Sequence, residues 1–309
     1  MIAAGGNHVM FVVGDRVLVW GDGKYGQLWC ATENGSAALR PVRAALLESA
    51  EVALPLRSFA AGWLFSVAVD AEGRVWSCGT YTDAAMAHTV PRSLPCERRV
   101  AHVACGMQHA LAIADNGALF GWGNNQHGQL GIDRQQSVVG EPQSVPGAIR
   151  ARAAACGRRH SAIVTLANEL VGFGCNRHGQ TAFGSTIPTR VQPIASVQCL
   201  WDGTVALGAA DSDGTFGVHV WGKATFGATL INESSIVRWR ALSCGSEHLA
   251  AIDGAGALRV FGWNEHGQLG CGDCDASSGA DGVVAIARGA VDVVAGGGYV
   301  LALIAQDRA

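Results

Sequence analysis

A short segment centred on glycine recurs seven times along this chain, and its spacing restricts the possible folds more than any other feature. The copies are AAGGNH (3–8), AAGWLF (60–65), ACGMQH (104–109), ACGRRH (155–160), CLWDG (199–203), SCGSEH (243–248) and VAGGGY (294–299). Their marker positions are Gly5, Gly62, Gly106, Gly157, Leu200, Gly245 and Gly296, spaced 43 to 57 residues apart. Self-similarity at this period indicates an array built from one supersecondary unit, stacked as a solenoid or arranged as a propeller.

A second signal keeps step with the first. An aromatic–glycine pair follows at Trp20-Gly21, Trp122-Gly123, Phe173-Gly174, Trp221-Gly222 and Phe261-Gly262, with Cys78-Gly79 as a degenerate copy. The step glycine lies 16 or 17 residues past the marker except in the fifth unit, where an insertion around Asp211–Gly214 makes it 22. Gly-Gln then recurs five residues on, at Gly26-Gln27, Gly128-Gln129, Gly179-Gln180 and Gly267-Gln268.

Between these signals lie paired apolar runs such as HALAIADNGALFGWG (109–123) and HLAAIDGAGALRVFG (248–262). Runs of this kind joined by Asp/Asn-Gly turns predict antiparallel hairpins. A further run precedes each marker, and segments carrying Pro41, Pro91, Pro142, Pro188 or Pro193 suit an outer edge strand, because proline cannot donate to an interior ladder. The weak helical period of 43–54 reads as a loop decoration. The expectation is an all-β, seven-bladed β-propeller with about four antiparallel strands per blade. It forms one domain over 1–309, with units near 2–56, 57–101, 102–152, 153–195, 196–239, 240–290 and 291–309.

Glycine at the marker fits a first strand running against the central axis, where a Cβ would obstruct converging backbones. Four cysteines (105, 156, 199 and 244) occupy the small position before it and read as buried apolar residues. Cys271 and Cys274 form a C-x-x-C without a second pair, so neither metal nor cofactor is expected. His8, His109, His160 and His248 stand at marker plus three and read as structural, bonding backbone at the local turn. The aromatic of each step reads as blade-to-blade packing.

The chain is 49% apolar and 15% charged with a net charge of −3, which suits a soluble protein and gives no general attraction to nucleic acid. No apolar run is long enough to span a membrane. The start, MIAAGGNHVMFVV, already matches the repeat and lacks a basic signal-peptide region. Cytoplasm or nucleus is therefore the default compartment, with neither singled out. The one basic concentration is Arg150, Arg152, Arg158 and Arg159, a candidate anionic-partner site or a solvated loop face.

The pattern over 103–131, VACGMQHAL through DNGALFGWGNNQHGQLG, resembles the repeat of the regulator of chromosome condensation family, with good matches at 243–270 and 154–184 and a poor one at 197–228. The resemblance implies a seven-bladed propeller. Its founding member exchanges nucleotide on a small GTPase while bound to chromatin, so exchange activity is the alternative reading. A plant member senses ultraviolet light through tryptophans at marker plus one in consecutive blades. Here that position reads Gly6, Trp63, Met107, Arg158, Trp201, Ser246 and Gly297, with tryptophan in two blades that are not neighbours, which argues against a photoreceptor.

The reading adopted is a non-enzymatic interaction platform docked in a larger assembly; the alternative is a guanine-nucleotide exchange factor for a small GTPase. Arg158, Arg159, Trp63 and Trp201 are expected partner contacts. So are Asp273 and Asp275 in the acidic loop CGDCDASSGADGVV, the candidate exchange wedge. Gly296 is followed by residues for little more than one further strand, so the last blade is expected to be incomplete. Its apolar edge along Tyr299, Leu301 and Leu303 would invite a partner strand.

Overall fold

A computed structural model of the chain describes residues 1–13, 16–29, 38–43, 52–81, 88–183, 192–223, 239–270, 272 and 284–305. Every element among them is a strand, and the strands form seven antiparallel sheets. The first holds β1 (Ile2–Ala4), β2 (His8–Val13), β3 (Arg16–Gly21) and β4 (Ala38–Arg43). The second holds β5 (Ser58–Ala61), β6 (Phe65–Val69), β7 (Val75–Gly79) and β8 (His88–Leu94). The third is β9 (Val100–Cys105), β10 (His109–Ala114), β11 (Leu119–Asn124) and β12 (Val138–Ser144). Three-stranded sheets follow: β13 (Ala151–Cys156), β14 (His160–Thr165) and β15 (Leu170–Gly174), then β16 (Ile194–Cys199), β17 (Gly203–Gly208) and β18 (Val218–Gly222). The sixth sheet is β19 (Trp239–Cys244), β20 (His248–Asp253), β21 (Leu258–Gly262) and β22 (Val284–Ala287), and the last pairs β23 (Ala290–Ala295) with β24 (Val300–Ile304).

Within each sheet the strands follow chain order, so every connection is a simple reversal. Pro41, Pro91 and Pro142 lie in β4, β8 and β12, the outermost strands, where a missing N–H costs no interior bond. Pro193 instead precedes the inner strand β16, and Pro188 lies outside the described residues. So does most of the 43–54 segment.

The second strands β10, β14, β17 and β20 are buried at every position because a sheet covers each of their faces. The core accordingly sits in the seams. One cluster runs from Phe65 and Val67 through Leu111 and Trp122 to Ile163, across the second, third and fourth sheets. Others join the first sheet to the second, the fourth to the fifth, the fifth to the sixth and the sixth to the seventh. Of the step aromatics, Trp122 (0% exposed) and Phe261 (1%) fill seams as expected. Trp20 does not: at 36% exposure it lies at the surface, although Met10 and Val19 beside it are fully buried.

Each inner strand ends one residue before its marker, and all seven markers line one cavity of about 100 Å3. Backbone hydrogen bonds link neighbouring units there. Gly6 N–H donates to Gly62 O (3.1 Å), Met107 to Gly157 O (3.2 Å), Arg158 to Trp201 O (3.1 Å), Trp201 to Ser246 O (2.8 Å) and Ser246 to Gly296 O (3.3 Å). Gly297 N–H donates to Gly5 O (3.0 Å), returning from the last sheet to the first. This convergence is why the marker is glycine: a Cβ on Gly106 would stand 2.4 Å from Gly157 O and 2.6 Å from the His109 ring.

Candidate functional site

The marker-plus-three histidines, read from the sequence as structural, hold neighbouring sheets together. His8, His109 and His160 place Nε2 at 2.7, 2.8 and 3.0 Å from the hydroxyls of Ser66, Ser161 and Thr204, each on the next sheet. Those hydroxyls donate to Gln27 O, Gln129 O and Gln180 O, all at 2.8 Å. With its proton spent on a carbonyl, each hydroxyl oxygen accepts from Nε2–H, which selects that neutral tautomer. His248 meets Tyr299 O (3.1 Å) instead, since the hydroxyl's place on the last sheet is taken by Val300. The bonds therefore cross between sheets and do not serve the local turn, which the backbone already closes, as in Gly106 N–H to His109 O at 2.9 Å.

Burial opposes an imidazolium in these seams. It lowers the pKa of His8, His160 and His248 to about 4, and that of His109, with His160 nearby, to about 3. Burial likewise raises the thiols lining the axis, Cys156 to about 12. Their unreactive, protonated form agrees with the small-residue role read from the sequence.

The sequence carried a signal for this latch. A hydroxyl stands at marker plus four in units two, four and five, each directly after a unit with histidine at marker plus three. Unit two has Phe65 in place of the histidine, and unit three has Ala110 in place of the hydroxyl.

Tyr299, expected on an exposed strand edge, is the last unit's counterpart of the histidines. It is half-buried, and its hydroxyl donates to His8 O (2.6 Å), with Gly5 O at 3.2 Å, bridging the last sheet and the first. Leu301 is half-buried, while Leu303 is 45% exposed on the outward side of β24. Asp273 and Asp275, and the C-x-x-C cysteines, lie outside the described residues.

What differs from unit to unit is the loop just past each marker, and these loops surround the axial mouth. Trp63 and Trp201, from units two and five, meet there with ring centroids 5.2 Å apart and planes inclined at 56°. Their separation in chain order gives no hint of this contact, because the axis brings all seven loops together. Trp63 also covers Gly6 and Gly297, where a Cβ would come within 2.8 Å of its ring. The Arg158 guanidinium lies 5.2 Å from the Trp201 ring centroid, a cation–π pair.

The basic concentration seen in the sequence divides in space. Arg150 and Arg152 stand where β13 begins, and Arg158 and Arg159 lie beyond its end, roughly 20 Å along the strand. Arg152 is spent inside the fold, donating to Ala195 O (2.8 Å), Asn168 Oδ1 (2.8 Å) and Ile194 O. Arg158 and Arg159 instead border a groove of about 100 Å3 between the third and fourth sheets, with Met107, Gln108, Asn124 and His127. Two arginines absent from the sequence reading lie near this lining: Arg134, which donates to Gln126 O (3.5 Å), and Arg177, both carrying charge close to His127.

Among the described residues no group of three or more His, Cys, Asp or Glu side chains is placed to hold a metal ion, and no helix is long and apolar enough to cross a membrane. Models of the regulator of chromosome condensation (RCC1) repeat match residues 100–129, 116–164 and 152–180. The Ultraviolet-B receptor UVR8 of Arabidopsis thaliana is 30% identical over 303 residues, covering 88% of this chain and 67% of that protein. The secretion-regulating guanine nucleotide exchange factor of Bos taurus is 28% identical, covering 88% and 68%. Prp20p from Saccharomyces cerevisiae superposes with a TM-score of 0.80 at 20% identity, over 97% of this chain and 81% of that one. The fold is thus an all-β propeller of the kind Prp20p adopts. A relative that similar along most of the chain, together with the repeat-model matches, places this protein in the regulator of chromosome condensation repeat family.

Proposed function

We propose that this protein is a non-enzymatic interaction platform, a propeller whose axial-mouth face docks a protein partner within a larger assembly. In this reading each of the seven sheets is one blade, built on a plan of about four strands with the last blade incomplete, and the units near 2–56, 57–101, 102–152, 153–195, 196–239, 240–290 and 291–309 form a single domain. One observation carries the proposal. The repeating histidines and hydroxyls are consumed in sheet-to-sheet bonds, whereas the residues that vary, Trp63, Met107, Arg158, Arg159 and Trp201, gather on one face. Aromatic and arginine side chains on a rigid frame are the composition of protein-binding hot spots. Prp20p, the structural neighbour, is characterised by binding to Gsp1p and histones, and a complex of it with Kap60 is also solved. A second contact is the outer edge of β24, where exposed Leu303 and Ile304 suit an added strand, from a partner chain or from elsewhere in this polypeptide.

The relative named as a guanine nucleotide exchange factor supports a second reading, exchange on a small GTPase, with the loop bearing Asp273 and Asp275 as its wedge. Affinity purification with mass spectrometry separates the two. The platform reading predicts one or more stoichiometric partners retained whatever the nucleotide. A single small GTPase, held when nucleotide is stripped and released when it is restored, would establish exchange instead.

A further inference from the structure

Resting on the platform reading, we propose that the groove between the third and fourth sheets binds an acidic peptide segment of the partner, its carboxylates held by Arg134, Arg158, Arg159 and Arg177. Three connections deliver these arginines: the loop after β11, the turn between β13 and β14, and the loop after β15. Three of them, Arg159, Arg134 and Arg177, carry charge close to His127, whose pKa burial lowers and these charges lower further. Arginine elsewhere on this protein is commonly neutralised, as in Arg57–Asp115 (2.9 Å), Arg74–Asp70 (2.7 Å), Arg92–Glu141 (2.8 Å) and Arg259–Asp253 (3.0 Å). Among the described residues none of the four groove arginines has a carboxylate partner. The neighbouring Asp133 accepts from Gln135 N–H. Arg158 also has a buried Nε without a hydrogen-bond partner.

Several guanidinium groups without a carboxylate partner lie at and beside one groove, a surface of like charge that complements an anion. Their planar forks match carboxylates two bonds at a time. An extended peptide advances about 3.3 Å per residue, so successive acidic side chains can reach arginines on both walls. The neutral amides of Gln108, Asn124 and Gln126 between them suit a peptide backbone. A long polyanion fits less well, because the net charge of −3 repels it beyond the groove.

The test is fluorescence anisotropy of labelled octaglutamate with the full chain, against octaglutamine and a thymidine octanucleotide. The expected result is binding of octaglutamate that weakens with salt. Arg159→Glu/Arg177→Glu should reduce it by at least ~10-fold, with the milder Arg159→Gln intermediate. Arg150→Glu, exposed at the opposite end of β13, should change it by less than about twofold. Both groove residues substituted in the double variant are exposed, so circular dichroism and melting temperature should stay unchanged. Equal octaglutamate affinity in the double variant overturns the proposal, as does tighter binding of the oligonucleotide. Partner capture undiminished in a double variant that has lost octaglutamate also overturns it, and leaves the platform reading intact. Octaglutamate binding that needs the arginines while no partner is ever captured supports the groove and defeats the platform reading.

Discussion

Mild acid should unfold this protein through its own latches. The four latch histidines sit in seams that keep them neutral down to a pH of about 4, or about 3 for His109, whereas in the unfolded chain they take up protons from near pH 6.5. Between those limits the unfolded state binds more protons, so stability is complete above pH 6.5 and falls as pH falls. Each histidine contributes a slope of ~1.4 kcal/mol per pH unit, hence ~2 kcal/mol at pH 5, and ~8 kcal/mol for all four. A domain's net stability is about 5–15 kcal/mol, so acid at pH 5 removes most of it. Urea unfolding followed by tryptophan fluorescence at pH 7.5, 6.5, 5.5 and 5 measures the slope directly. His109→Gln keeps an amide near Ser161 but cannot protonate, and should flatten the slope by ~1.4 kcal/mol per unit. Stability constant within about 1 kcal/mol from pH 7.5 to 5 would refute the reasoning, as would an unaltered slope in His109→Gln.

Alkali should act in the opposite sense. Burial raises the thiols of Cys105, Cys156, Cys199 and Cys244 above their ordinary value of 9.0, so their contribution is complete below pH 9 and lost as pH rises past it; a melting temperature unchanged from pH 8 to 10.5 would contradict this. Gly106→Ala drives a methyl into Gly157 O and should destabilise by ~1–3 kcal/mol or more. Gly140→Ala, with nothing within 4 Å, should stay within about 0.5 kcal/mol in the same denaturant titration. Trp122→Ala leaves a cavity at a fully buried site and should cost ~3–5 kcal/mol. Trp20→Ala, at the same repeat position but exposed, should cost less than half of that.

The architecture was legible because its constraints are local and recur. The marker glycines announce converging backbones, the step glycines and Asp/Asn-Gly turns announce hairpins, and Pro41, Pro91 and Pro142 announce outer strands. Contacts made across the axis or between sheets were harder to read. Trp63 meets Trp201 because closure brings units two and five together at the mouth, a relation no spacing rule states. Arg150 and Arg152 looked joined to Arg158 and Arg159 because a strand separates in space what the chain keeps close. Arg134 and Arg177 bring their charges to the same residue, His127, from loops 43 residues apart. The histidine latch was readable in principle, since the hydroxyl one place further along the next unit accompanies it. Seeing that required comparing each unit with its successor, because the bond crosses the seam.

The account turns on a division of labour between repeating residues that hold the sheets together and varying residues that bind. Its most direct test is melting temperature and partner retention measured together on purified His109→Gln and Arg159→Glu/Arg177→Glu. The account predicts that His109→Gln lowers the melting temperature yet retains its partner below that temperature, while the arginine variant melts normally and releases the partner. A His109→Gln protein that melts normally but has lost its partner would contradict it.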